Sequence, residues 1–284
     1  MSILVRDRRR ARREASPHAQ TERRAPSVAG PSIADSETSL PEATRRARIS
    51  VVIPAKDEAR NLPWVLGRIP DLVDEIVLVD GLSRDDTVAI AQMVRPDVVV
   101  VHEERRGKGV AVRAGFAVAT GDFIVMLDAD GSMDPQEIGR FVAPLTDGYD
   151  FVKGSRFLAG GGTTDMTLLR KSGNAALMLA TNILYRSRFS DLCYGYVAFR
   201  RHILPQLALT ADGFEIEMQL IARAVRTGQR IHEVPSFESP RMHGKSNLRT
   251  FPDGWRVLRS LLRERVVRIG NASEAAITNL PAEG

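Results

Sequence analysis

The chain has 284 residues, 43% of them hydrophobic, enough to bury a full core in one large or two small domains. Its formal charge of +5 is unevenly placed: residues 1–48 hold eleven arginines and six acids, and the remainder balances to zero. The neutral body argues against a nucleic-acid-binding surface, and a single cysteine, Cys193, rules out an internal disulfide and fits a reducing cytosol.

The stretch 1–48 is rich in Arg, Ala, Ser and Pro, shows no sustained apolar period and reads as a disordered leader. It lacks the apolar segment of a signal peptide, and its charge implies at most weak attraction to anionic lipid or nucleic acid. From Ile49 onward, short β-rich runs alternate with helical periods. Strands are expected at Ile49–Ile53, Glu75–Val79, Val98–His102, Asp122–Leu127 and Asp150–Lys153. Helices are expected between them near Ala59–Arg68, Asp85–Val94, Val110–Thr120 and Asp134–Leu145. Val98–Val101 has the composition of a strand buried on both faces, as in a parallel sheet covered by helices. Repeated β-α units give an open α/β sheet, in which ligands bind beyond the carboxyl ends of the strands. Asp80 and Asp128 both stand there, each just after an apolar run.

A second region, 154–269, carries expected helices near Thr167–Tyr185 and Phe214–Arg226, then a strand near Arg230–Val234. Glu215 and Glu217 lie two helical positions apart, about 200° of rotation, so at most one of them faces a site. Pro252–Ile269 reads as a terminal amphipathic helix whose stripe is Trp255, Leu258, Leu262, Val266 and Ile269. Arg256, Arg259 and Arg263 flank that stripe, Arg265 and Arg268 extend the charge, and Asp253 suits the first turn. Such a stripe either lies on a membrane or packs on the protein's own core. No apolar run approaches the roughly 20 residues of a transmembrane helix.

The run Phe123–Leu127 empties into Asp128-Ala129-Asp130. Two acids one residue apart at a strand end suit a hard divalent cation, Mg²⁺ or Mn²⁺, which keeps positions open for phosphate oxygens. Such an ion screens the charge of a diphosphate leaving group.

Seven segments form an ordered set: VVIPAKDEA at 51–59, VLVDGLSRDDT at 77–87, GKGVAVRAGF at 107–116, LDADGS at 127–132, KGSRF at 153–157, DLCYGYVAFRR at 191–201 and RMHGKSNL at 241–248. Together they resemble the family 2 glycosyltransferases of GT-A fold, most closely the branch of dolichyl-phosphate mannose synthases and other polyprenyl-phosphate glycosyltransferases. The resemblance spans about Ile49 to Leu248.

It implies an α/β GT-A fold, with a nucleotide-sugar half at about 49–153 and an acceptor half at about 154–248. The amphipathic helix at 249–270 and a flexible tail at 271–284 would follow. Pro54 and Glu58 match positions that hold the nucleoside, Asp80 the acid that reads base or ribose, and Lys108 and Arg113 further nucleotide contacts. Asp128, Ala129 and Asp130 match the metal–diphosphate motif. Arg156, Arg170 and Arg241 match arginines that gather donor and acceptor phosphates, for which a guanidinium fork is well shaped. Asp191 resembles the family's acceptor-side acid, and His243 is available as a further metal ligand. Two departures stand out: Asp80-Gly81-Leu82-Ser83 replaces the usual D-D-G-S, and Ser132 stands where a glutamine is common.

The implied activity is inverting, metal-dependent transfer of a sugar from a nucleoside diphosphate, of GDP-mannose or UDP-glucose type, to a polyprenyl phosphate. The enzyme would be cytoplasmic or peripheral on the inner face of the plasma membrane. A lipid phosphate is already anionic and needs no general base. A soluble hydroxyl acceptor, the alternative, needs one, Asp191 or Glu217. Gly107-Lys108-Gly109 is not a P-loop, and no G-x-G-x-x-G follows a strand, which disfavours a hydride-transferring enzyme. A nucleic-acid-binding protein with a basic arm would rest on the leader alone.

Overall fold

The computed structural model describes residues 46–164, 166–244 and 250–267, with side chains in the last stretch from residue 255 onward. The leader as far as residue 45, residues 245–248 of the last motif, and 268–284 lie outside the described residues, as do the side chain of Asp253 and the whole of Arg268 and Ile269.

Apolar runs too continuous for a half-exposed strand form the sheet: β1 (Ile49–Ala55), β2 (Glu75–Asp80) and β4 (Phe123–Met126) are buried almost throughout. With β3 (Val99–His102), β5 (Phe151–Ser155), β7 (Val197–Arg200) and β8 (Ile231–Pro235), they build a seven-stranded sheet in the order β3-β2-β1-β4-β7-β5-β8. β7 alone runs antiparallel, inserted between β4 and β5. A short second pair, β6 (Gly162–Thr163) with β9 (Phe237–Glu238), runs parallel beside it.

Alternation along the strands feeds two cores. Val51 and Ile53 point to one face, covered by α1 (Leu62–Gly67), α2 (Thr87–Val94) and α4 (Ile138–Thr146). Val52, Val77 and Val79 point to the other, covered by α3 (Lys108–Val118), α5 (Leu168–Tyr185), α6 (Leu204–Leu207), α7 (Ile216–Arg226) and α8 (Thr250–Val266). This is the helix-covered open α/β sheet that the resemblance implies.

Several expectations change. Arg46 and Arg48 belong to the body rather than to a leader: the Arg46 guanidinium lies 2.6 Å from Asp74, and the Arg48 amide donates to Asp122 at 2.8 Å. β3 is an edge strand with Val99 37% exposed, so its valines are not covered on both faces. β7 has no counterpart among the expected strands, because its four residues follow a turn-like aromatic segment and pair only with partners distant in sequence.

The terminal helix divides its apolar residues. Leu261 is fully buried and Val257 and Leu258 half-buried against the second core, while Trp255, Leu262 and Val266 are exposed. A buried ion pair, Arg223 Nε to Glu264 at 2.7 Å, clamps α8 to α7, and the Tyr185 hydroxyl donates to the Leu261 carbonyl at 2.9 Å. Core packing and an exposed apolar-basic face therefore coexist on one helix.

Candidate active site

The carboxyl ends of β1, β2 and β4 open into a cavity of about 580 Å³. Pro54, Ala55, Lys56 and Gly81 line one end, Asp128, Ala129 and Asp130 the floor, and Leu169, Arg170, Leu177 and Val257 the far wall. The strand ends converge there because parallel strands of one sheet finish on the same edge.

Two cations sit on the strand-end acids. Lys108 Nζ lies 2.6 Å from Asp128 and 2.6 Å from Glu217. Burial alone would lower the Lys108 pKa, but the two carboxylates override it and push it up. Burial raises Asp128 to about 6, against the opposing pull of Lys108. The glycines around Lys108 now have a reason: Gly107 has φ +134°, and a Cβ there would sit 2.1 Å from the Asp212 carbonyl. At Gly195 a Cβ would fall 2.7 Å from Glu217 Oε1, so only glycine leaves room for the Lys108–Glu217 pair.

Arg241 lies over the second acid. Its Nη1 and Nη2 both donate to Glu58 at 2.8 Å, and its Nε stands 3.4 Å from Asp130 Oδ2. Glu58 also accepts from Asn61 Nδ2 at 2.5 Å, and desolvation raises its pKa. Its carboxylate thus lines the cavity while engaged by two protein side chains. Arg241 and Arg170 both line the cavity.

Arg156 and Asp191 form a buried two-pronged pair at 2.7 and 2.9 Å. The same guanidinium donates to Glu238 at 3.0 Å and to the Cys193 carbonyl at 2.7 Å. Burial would raise Asp191, yet the Arg156 fork holds its carboxyl below the usual range. With no exposed surface, Asp191 does not present a base to the cavity, and Arg156 reaches the cavity with most of its donors engaged.

Other residues fall differently again. Arg113 pairs with Asp212 at 2.6 Å and does not line the cavity. Asp80 is buried, accepts from the Ser83 amide at 3.2 Å and lies 3.6 Å from His102; its neighbour Gly81 makes the wall. Leu82 occupies a left-handed backbone position (φ 64°) where the family pattern has glycine. The loops after β1 and β2 are stitched together there, the Asp57 amide donating to Ser83 Oγ at 2.9 Å and the Arg84 amide to Asp57 at 2.6 Å. The His243 side chain is not part of the lining, although the His243 carbonyl accepts from Asn61 Nδ2 at 3.2 Å. Glu217 lines the cavity; Glu215 instead accepts from the Gly213 amide at 3.1 Å.

Asn61, Asn174 and Glu238 are the participants that sequence reasoning missed. Asn174 lines the cavity and accepts from the Cys193 amide at 3.0 Å. No local motif marks Asn174 and Glu238, which act through partners remote in sequence, while Asn61 bonds both to nearby Glu58 and to the distant His243 carbonyl. Among the described residues, no group of three or more His, Cys, Asp and Glu side chains is gathered closely enough to hold a metal unaided.

Comparison with known proteins agrees with this architecture. Glycosyltransferase AglJ of Haloferax volcanii is 32% identical over 221 residues, which cover 76% of this chain and 71% of AglJ. An uncharacterised glycosyltransferase of Mycobacterium tuberculosis is 34% identical over 200 residues, 70% of this chain and 89% of its own. Glucosyl-3-phosphoglycerate synthase from M. tuberculosis has been solved with Mn²⁺, UDP and glucosyl-3-phosphoglycerate. It is 26% identical with a TM-score of 0.60, covering 78% of this chain and 81% of that one. Its complex with Mn²⁺, UDP-glucose and glycerol 3-phosphate gives 27% identity and a TM-score of 0.63 over the same shares. The sheet and its helices are those of the GT-A fold. Residues 50–207 match the family model for glycosyl transferase family 2, and the chain belongs to that family of glycosyltransferases.

Proposed function

We propose that this glycosyltransferase moves a sugar, with inversion, from a nucleoside-diphosphate sugar to a polyprenyl phosphate, using Mg²⁺ or Mn²⁺. The nucleoside would lie against Pro54, Ala55, Lys56 and Gly81, with the sugar diphosphate running towards Asp128 and Asp130. Two carboxylates at a strand end fit a hard cation that takes its other ligands from phosphate and water. Asp128 and Asp130 would hold it, with His243 on the adjoining segment available to it. When bound, the ion neutralises charge building on the leaving diphosphate.

The observation that carries the acceptor assignment is that both candidate bases are engaged: Glu217 by Lys108 at 2.6 Å and Asp191 by Arg156 at 2.7 Å. An acceptor that is already an oxyanion needs neither. A phosphate oxygen of the lipid would bond to the anomeric carbon as the carbon–oxygen bond to the diphosphate breaks and its electron pair departs with that group. The transition state is oxocarbenium-like. Arg170, in the first turn of α5, supplies charge for the acceptor phosphate, and the apolar wall of Leu169, Leu177 and Val257 suits the start of an isoprenoid chain.

The surface around that wall supports a membrane-borne acceptor. Leu168, Leu179 and Ile183 on α5 are exposed, as are Trp255, Leu262 and Val266 on α8, with Arg259, Arg263 and Arg265 beside them. No helix among the described residues is long and apolar enough to cross a membrane. The proposed contact is peripheral, on the inner face of the plasma membrane.

A soluble hydroxyl acceptor is the second reading, favoured by the likeness to glucosyl-3-phosphoglycerate synthase. It requires Glu217 to leave Lys108. Incubating the purified protein with Mn²⁺, a panel of nucleotide sugars, and either a polyprenyl phosphate or 3-phosphoglycerate separates the two. Product on the lipid alone supports the proposal; product on the soluble acid alone overturns it.

A further inference from the structure

The Arg241 side chain stands between two acids but serves them unequally. Its fork closes on Glu58, with Nη–Oε distances of 2.8, 2.8 and 3.0 Å, whereas only Nε faces Asp130, in an ion pair of 3.4 Å that makes no hydrogen bond. The backbone beneath is tied to the Asp130 turn itself. The Met242 amide donates to the Asp130 carbonyl at 3.1 Å, and the Ser239 amide to the Ser132 carbonyl at 2.9 Å. Arg241 therefore remains next to Asp130 wherever its guanidinium turns. Glu58, in turn, is fixed by Asn61, which is itself buried and bonded to the His243 carbonyl.

A guanidinium fork on a carboxylate and a divalent cation on that carboxylate compete for the same lone pairs. From this geometry we infer that Glu58 is a positioning residue for metal binding: by gripping the Arg241 fork, it limits Arg241 to a 3.4 Å ion pair through Nε and leaves lone pairs of Asp130, whose Oδ1 also accepts from the Ser132 amide at 3.0 Å, to the ion. The inference rests on the assignment of the metal to Asp128 and Asp130. It gives Glu58 a task distinct from holding a nucleoside.

The geometry distinguishes this from simple charge attraction between Glu58 and the metal. Glu58→Asp keeps the negative charge but shortens the side chain by one methylene, so the grip loosens while the charge stays. Glu58→Gln removes the charge and weakens the grip. If the grip matters, both variants free Arg241 to pair with Asp130, and both weaken metal binding. Replacing Arg241 with Gln in either background removes the competitor and restores it.

The test is a titration of the full chain with Mn²⁺ in nucleotide-free buffer, reading free ion by its electron paramagnetic resonance signal. Wild type, Glu58→Asp, Glu58→Gln, Arg241→Gln and the double variant Glu58→Asp/Arg241→Gln are compared, with circular dichroism confirming their folds. Glu58→Asp should weaken Mn²⁺ binding on the order of fivefold, the scale of one partly exposed ion pair. The double variant should bind at least as tightly as wild type. Wild-type affinity in Glu58→Asp, or an equal loss from Glu58→Asp with and without Arg241, would overturn the inference, as would a wild type that takes up no Mn²⁺ unaided. Asp130→Asn separates the two levels. If it leaves Mn²⁺ binding intact, the metal assignment itself fails; if it abolishes binding while Glu58→Asp is silent, the role of Glu58 alone fails.

Discussion

Arg156 and Asp191 meet through two hydrogen bonds of 2.7 and 2.9 Å with neither side chain open to solvent. Their pairing joins the end of β5 to the segment before β7 and shapes the wall that Cys193 and Tyr194 present to the cavity. Removing Asp191 leaves the buried Arg156 with Glu238 as its remaining carboxylate partner and its two-pronged pair broken. Asp191→Asn should therefore cost about 3 kcal/mol of stability, measured by chemical denaturation. An essential base would instead lose turnover with its stability unchanged. Arg156→Lys keeps the charge and loses the fork, so it should also destabilise the fold, to a smaller extent.

Acid should dismantle the same pair in a defined window. Burial would raise Asp191 and Glu264, but Arg156 and Arg223 respectively hold both carboxyls below their ordinary values. A depressed carboxyl contributes stability that is complete above its unfolded pKa of about 4 and is lost as pH falls through the folded value. Thermal midpoints should thus owe no slope to these groups between pH 7 and about 5, and fall below about pH 4. The gap between wild type and Asp191→Asn should narrow in that same acid range. A gap that widens on acidification would contradict the assignment.

Metal dependence is the sharpest test of the catalytic floor. Chelation, or Asp130→Ala, should reduce transfer on the order of a hundredfold or more, the rate equivalent of losing several kcal/mol of charge stabilisation. Asp128→Asn should be nearly as severe. His243→Ala should raise the Mn²⁺ concentration needed for half-maximal rate several-fold, with excess Mn²⁺ restoring much of the activity. An unchanged Mn²⁺ requirement would remove His243 from the ligand set.

The outer face of α8 yields a separate measurement. Arg259→Gln and Arg263→Gln together should weaken sedimentation with anionic liposomes by about 1 kcal/mol per residue, with added salt acting in the same direction. Folding should survive, because Arg259 and Arg263 are exposed and the clamp between Arg223 and Glu264 uses neither of them. Equal absence of binding to neutral and anionic vesicles would direct attention to the soluble acceptor.

Much of the fold is legible locally. Buried parallel strands demand continuous apolar runs, so β1, β2 and β4 are visible in sequence, and so are the helices whose periodicity follows a single packing face. The position of Asp128 and Asp130 is legible for the same reason: an apolar run that stops at an acid marks the carboxyl edge of a strand. β7 is not, since an antiparallel strand of four residues draws its identity from the neighbours it pairs with.

What the sequence by itself determined is which residues stand at the strand ends. What only the tertiary structure decided is which charges are used up. Lys108 meets Glu217 across 109 positions, Arg241 meets Glu58 across 183, and Arg156 meets Asp191 across 35. Local spacing carries no signal for such pairs, because long polar side chains take their partners from whatever the folded backbone brings within about 3 Å. Each pairing gives a carboxylate a partner that the motif alone does not name: an arginine for Glu58, a buried arginine for Asp191 and a lysine for Glu217.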